Sequence, residues 1–211
     1  MGAKAAKIAI EHADINKNDI DLILFATLSP DYYFPGSGVI VQQHLEIRSC
    51  RAMEIRNLCS GFIYALSTAN AQIVSGQANR ILVVGSETFS NLMDWSDRST
   101  CVLFGDGAGA VVLEAQNSNG TKEDRGILSV DLNSDGSYRD ILYVDGGVSK
   151  KTTGYLRMEG KEVFKHAVDK LAKTSENAMA KVGIKSSEVD WVVPHQANVR
   201  IIQGTARKMG I

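Results

Sequence analysis

The sequence predicts an α/β fold with largely parallel sheets. Apolar runs of strand length alternate with runs of helical periodicity along the chain. The two best strand runs, LILFAT from Leu22 and NRILVVG from Asn79, are apolar enough to be buried. The chain also falls into two blocks that echo each other weakly, on either side of a polar linker, QNSNGTKEDR, at residues 116–125.

The elements follow in order. Residues 3–13 predict an amphipathic helix, with Ala5, Ile8, Ala9 and Ala13 near one face. Asp21 leads into the strand that starts at Leu22. SPDYYFPGSG is a loop of turn formers. A helix is expected over 39–45, a short strand over 52–55, and a helix rich in small residues over 60–74. The buried strand at 79–85 is followed by a polar, irregular stretch over 86–99. Apolar strands at 102–103 and 108–113 flank a tight turn, FGDGAG. In the second block, 126–132 and 141–144 read as strands, and 159–182 as a long helix. Residues 189–193 read as a strand ending at Pro194. Val199–Met209 is a helix capped by Asn198. The first helix starts without a cap and the last meets no following strand. A chain entered and left midway through a longer protein is therefore expected.

Composition narrows the function. Lys and Arg number 23 and Asp and Glu 24, for a net charge of -1, so no global basic field points to nucleic acid. No apolar run approaches the roughly 20 residues that span a bilayer, and the N-terminus lacks the continuous apolar core of a signal peptide. The three cysteines, Cys50, Cys59 and Cys101, are odd in number and lack metal-ligand spacing. That argues against a disulfide framework or a zinc site and for a reduced, cytoplasmic setting.

Two segments carry chemistry. In NLCSGF, residues 57–62, a short strand delivers the chain to Cys59 and a helix starts at once. A thiol at a helix N-terminus meets free N–H groups and the positive end of the dipole, which favour the thiolate and can hold an oxyanion. Gly61 is expected to keep the turn open to a bulky acyl chain. From position alone a second reading stands beside this one: a small buried cysteine at the start of a core helix. In VVPHQAN, residues 192–198, His195 follows an apolar strand at its carboxyl end, where ligands bind in open α/β sheets. A structural or merely exposed histidine is the alternative. FGDGAGAVVL lacks the Lys-Ser/Thr ending of a phosphate-binding loop and reads as a turn against the core. Glu87, Asp94, Asp97 and Asp106 are not ranked by spacing. Trp95 and Arg98 suit either a flat or phosphorylated ligand or an ordinary surface loop. Arg200, Arg207 and Lys208 recur at about helical spacing and form either a docking face or a solvated one.

Together the elbow NLCSGFIYAL, the strand RILVVGSE, DRSTCVLFGDGAGAVVL, NSDGS, MEGKEVFKHAV and VPHQANVRII, in this order and spacing, resemble β-ketoacyl-acyl-carrier-protein synthase III of the thiolase superfamily. The resemblance implies a thiolase-like fold of two related halves in a layered α-β-α-β-α arrangement, here residues 1–120 and a truncated 121–211. It implies a homodimer. It implies that Cys59 takes an acyl group from acyl-coenzyme A and that malonyl-acyl-carrier-protein then loses carbon dioxide and attacks the acyl-cysteine. No metal and no cofactor are implied beyond the coenzyme A thioester, which is a substrate. His195 would donate to the malonyl thioester carbonyl. Phe34 matches a residue placed in the partner subunit's acyl pocket, and Phe164 and Asn198 match the lining of the coenzyme tunnel. Arg98 matches a residue near the adenine. Arg200 matches the carrier-protein docking arginine, and Arg207 and Lys208 extend its patch.

The sequence departs from the family pattern in two places. The family's first strand and loop would precede Met1. Its catalytic asparagine and a glycine-rich oxyanion segment would follow position 211. Within the family, a specialised polyketide- or quinolone-type acyltransferase stands as an alternative. So does a catalytically incomplete fragment.

Overall fold

The computed structural model describes residues 1–211. The chain divides into two units, Met1–Phe89 with Gly105–Asn117, and Ser90–Phe104 with Ser118–Ile211.

The first unit is a four-stranded sheet with helices on both faces. Its strands are β1 (Leu22–Ala26), β2 (Arg51–Ile55), β3 (Arg80–Thr88) and β4 (Asp106–Glu114), in the order β2-β1-β3-β4. β1 is parallel to both β2 and β3, and β4 runs antiparallel to β3. Every residue of β1 is buried, as a central strand covered on both sides requires. The strand period of two sorts the core. Ile23, Phe25, Leu82 and Val84 face α1 (Gly2–His12) and α2 (Ser37–His44), packing with Ala6, Ile10 and Val41. Leu22, Leu24, Ile81 and Val83 face α3 (Gly61–Val74), packing with Ala65 and Ala69. The small residues of α3 bring it close to the sheet, as expected.

The second unit holds a hairpin of β5 (Leu142–Val144) and β6 (Leu156–Met158), and two helices, α4 (Gly160–Lys181) and α5 (Val199–Met209). α4 and α5 pack together where Gly204 faces Val168, and a Cβ at Gly204 would lie 3.0 Å from a Val168 methyl. Arg157 bridges two carboxylates, reaching Asp145 at 2.8 Å and Asp94 at 3.2 Å. It thereby ties the 90–104 segment to the hairpin of the same unit.

Some expectations fail. Residues 102–103 form turns, not a strand, and DGAG of the supposed tight turn lies inside β4, paired to β3 from Asp106↔Thr88 onward. Glycine invites a turn reading, but here nine consecutive ladder pairs extend the strand through it. Residues 126–132 and 189–193 are not strands, because no neighbouring backbone pairs with them. An apolar run becomes a strand only with a ladder partner. Trp191 and Val193 are consequently 87% and 88% exposed. The sheet of the second unit is a short antiparallel hairpin, not a parallel one, and β6 was not foreseen. No helix is long and apolar enough to cross a membrane.

Candidate active site

The parallel part of the sheet ends level: Ala26, the last residue of β1, pairs with Ile55, the last of β2, and with Gly85 of β3, which runs on to Thr88 against β4 alone. The carboxyl ends of these strands form the edge at which α/β sheets bind ligands. β2 runs from Ile55 into Arg56 and Asn57, then a single 3₁₀ turn at Leu58–Ser60, then α3. Leu58 has φ of 53°, a left-handed conformation that costs a leucine free energy. That one residue folds the chain back so that Cys59 stands at the start of α3. The helix begins against the sheet because Gly61 is buried there: a Cβ would lie 3.3 Å from Ala26 Cβ. Gly61 therefore serves close helix-strand packing; it does not open room for an acyl chain, because its missing side chain points into the sheet.

Cys59 is exposed. Even so, loss of hydration to the surrounding protein is the largest influence on it and pushes the thiol above its ordinary pKa. A side chain can touch solvent at its tip and still be poorly hydrated. Its own backbone N–H pulls the other way, and the Glu87 carboxylate pushes the thiol further up. The expected lowering by the helix start is outweighed, so the resting group is a thiol.

Glu87 lies two residues past Gly85, on β3. Its carboxylate accepts from Leu28 N–H at 2.8 Å, Ser29 N–H at 3.1 Å, Ser29 Oγ at 2.6 Å and Thr27 Oγ1 at 3.3 Å. Ser29 Oγ in turn accepts from Thr88 N–H at 2.7 Å. Spacing alone does not rank Glu87 among the four carboxylates Glu87, Asp94, Asp97 and Asp106. The available signal was its even spacing from Gly85 at the end of a buried strand. The loop that Glu87 pins continues to Phe34, which is 85% exposed beside Tyr32 and Tyr33.

In the second unit, His195 lies on an extended segment before α5, not at the end of a paired strand as expected. It is exposed, yet loss of hydration lowers its pKa, which keeps the imidazole neutral at pH 7. Asn198 caps α5 as predicted, its Oδ1 accepting from Arg200 N–H at 2.8 Å. Gly160, Lys161, Phe164, Asn198 and Arg200 line a shallow cavity of about 330 Å³.

Two family models match. Residues 53–136 match 3-oxoacyl-acyl-carrier-protein synthase III, and residues 179–211 match the C-terminal model of the same family. The chain belongs to the 3-oxoacyl-acyl-carrier-protein synthase III family. A β-ketoacyl-acyl-carrier-protein synthase III of Ruegeria pomeroyi is 60% identical over 211 residues, all of this chain and 65% of the relative. One from Dinoroseobacter shibae is 60% identical over 212 residues, with the same coverage. The crystal structure of the synthase III of Aquifex aeolicus matches with a TM-score of 0.91 at 43% identity, over all of this chain and 65% of that one. The fold is thus thiolase-like, and the chain spans 65% of the length of these curated relatives.

Of the residues that the synthase III resemblance singles out, Phe164, Asn198 and Arg200 share one cavity. Arg207 is exposed on α5, whereas Lys208 pairs with Asp169 of α4 at 2.5 Å. Arg98 is exposed in a segment shaped by Asp97, which accepts from the Ser99 and Thr100 hydroxyls. No group of His, Cys, Asp and Glu is arranged to hold a metal ion.

Proposed function

We propose that this chain is the acyl-accepting part of a synthase III that starts fatty-acid synthesis. It would condense acyl-coenzyme A, acetyl-coenzyme A above all, with malonyl-acyl-carrier-protein. The observation that carries the reading is the Cys59 elbow, a thiol delivered by a parallel strand to a helix start at the sheet's ligand-binding edge. The sulfur attacks the thioester carbonyl of acyl-coenzyme A, an S-acyl bond forms, and coenzyme A leaves as its thiol with the proton that Cys59 gives up. Malonyl-acyl-carrier-protein then loses carbon dioxide, and the electron pair of the broken C–C bond becomes an enolate. The enolate carbon attacks the acyl-cysteine, releasing a 3-oxoacyl-acyl-carrier-protein and the cysteine thiolate, which takes up one proton from water to return to the resting thiol. His195, neutral at pH 7, donates an N–H to the thioester oxygen as negative charge develops there. No external base is needed, because decarboxylation makes the carbanion.

In the same proposal Phe34 shapes an acyl pocket and Arg98, Phe164 and Asn198 hold the coenzyme. Arg200, Arg207 and Lys208 dock the carrier protein, Lys208 exchanging its pairing with Asp169 for an acidic partner. Residues 1–120 and 121–211 belong to two related halves of a cytoplasmic homodimer that uses no cofactor. The test is radiolabelled acetyl-coenzyme A followed by malonyl-acyl-carrier-protein. Label should reach Cys59 in the wild type, be absent in Cys59→Ala, and leave with the carrier protein. Absence of label from the wild type refutes acyl transfer. Label that stays on Cys59 refutes condensation by this chain.

A further inference from the structure

We propose that Glu87 is a positioning residue for the nucleophile: its carboxylate clamps the turn Thr27–Ser29 where the chain leaves β1, and so fixes the wall beside Cys59 from which the Phe34 loop departs. The inference rests on the acyl-cysteine reading of Cys59 and deepens it.

The geometry is that of a built anion site filled by the protein's own side chain. Two backbone N–H groups and two hydroxyls converge on one carboxylate. Charge-assisted bonds of this kind are about twice as strong as neutral ones. The turn is anchored on its other side as well, since Thr27 N–H donates to Ile55 O of β2 at 3.2 Å. Ile55 is four residues before Cys59, so the clamped turn and the nucleophile hang from the same strand ends. Thr27 is buried and Leu28 and Ser29 are half-buried, so unpaired N–H groups in this turn would cost free energy. Glu87 meets that need with side-chain oxygens because the sheet ladder has ended at Ala26 of β1. The arrangement has a chemical side: the Glu87 carboxylate adds to the loss of hydration that disfavours the free thiolate of Cys59.

Glu87→Gln tests both sides. The amide keeps the shape and one acceptor but removes the charge and turns an NH₂ toward the donors. Hydrogen exchange at the Leu28 and Ser29 amides reports the clamp. Alkylation of Cys59 by iodoacetamide against pH, followed on the Cys59 peptide by mass spectrometry, reports the charge. In Glu87→Gln both amides should exchange at least about tenfold faster. The alkylation midpoint should fall, with Cys59 alkylated about threefold faster at neutral pH because more of it is thiolate. Ser29→Ala removes a clamp partner and keeps the carboxylate. It should speed exchange at Ser29 and Thr88 without lowering the midpoint, and it carries the test should Glu87→Gln not fold. Unchanged exchange in either variant, or a midpoint that stays put in folded Glu87→Gln, overturns the proposal. If the wild type takes no acetyl group while exchange and alkylation behave as stated, the positioning role is supported and the acyl-transfer reading falls instead.

Discussion

Gly61→Ala sets two known effects against each other at the nucleophile elbow. Replacing glycine by alanine in a helix favours the folded state by about 0.8–1 kcal/mol. The added Cβ would stand 3.3 Å from Ala26 Cβ and 3.8 Å from Ile55 O. Ordinary carbon contacts begin near 3.5 Å, so the new methyl intrudes by a few tenths of an ångström. Ala26 cannot give easily. Its Cβ is fixed to the end of a buried strand that is hydrogen-bonded on both sides. Overpacking of this kind costs about 1–3 kcal/mol. Strain should win, leaving the variant less stable by about 1 kcal/mol and the start of α3 lifted off the sheet. Urea unfolding gives the stability and the rate of Cys59 alkylation gives the displacement. A variant more stable than wild type, alkylated at an unchanged rate, would refute the reasoning and mean that β1 yields to the helix.

Other outcomes follow from the same geometry. Leu58→Gly removes a left-handed leucine whose conformation costs about 1–2 kcal/mol, partly offset by glycine's greater entropy in the unfolded chain. A net gain of about 0.5–1 kcal/mol should appear as a raised melting temperature. Asn198→Ala deletes the cap of α5 and should cost about 1 kcal/mol, with faster exchange in the first turn; Asn198→Ser should recover most of it. His195 should titrate below its ordinary value in a histidine NMR experiment. Because the folded pKa is depressed, the unfolded chain binds the proton more readily, and the stability present above the unfolded pKa is lost as pH falls through it toward the folded one. A His195→Gln variant should lack that component of the pH dependence.

Much of the first unit, and the start of α5 in the second, was legible in the sequence, for a physical reason. The Leu22 and Asn79 runs, the small-residue face of α3 and the Asn198 cap are local signals, each decided within a few residues. The failures depend on distant partners. Residues 126–132 and 189–193 have strand composition, but composition does not supply a ladder. DGAG has turn composition, and β3 holds it extended over consecutive pairs. Cys59 and His195 could be singled out by residue type and by resemblance to a family. Their protonation could not, because it depends on how much protein surrounds each group. For Glu87 the alternation along β3 gives the face but not the role, which lies in four donors some 58 to 60 residues earlier in the chain.

The length of β3 has a consequence for error. Its one face runs Ile81, Val83, Gly85, Glu87, so the residues that pack against α3 and the carboxylate at the elbow are set by a single alternation. Slipping β3 by one position against β1 would turn all of them to the opposite side together. Such a misthreaded chain would press the carboxylate into the apolar layer under α1 and α2 while exposing the donors of Thr27–Ser29. The nucleophile's surroundings thus act as a proofreading device for the sheet. A molecule with a correctly shaped elbow is one whose central strands have found their true alignment.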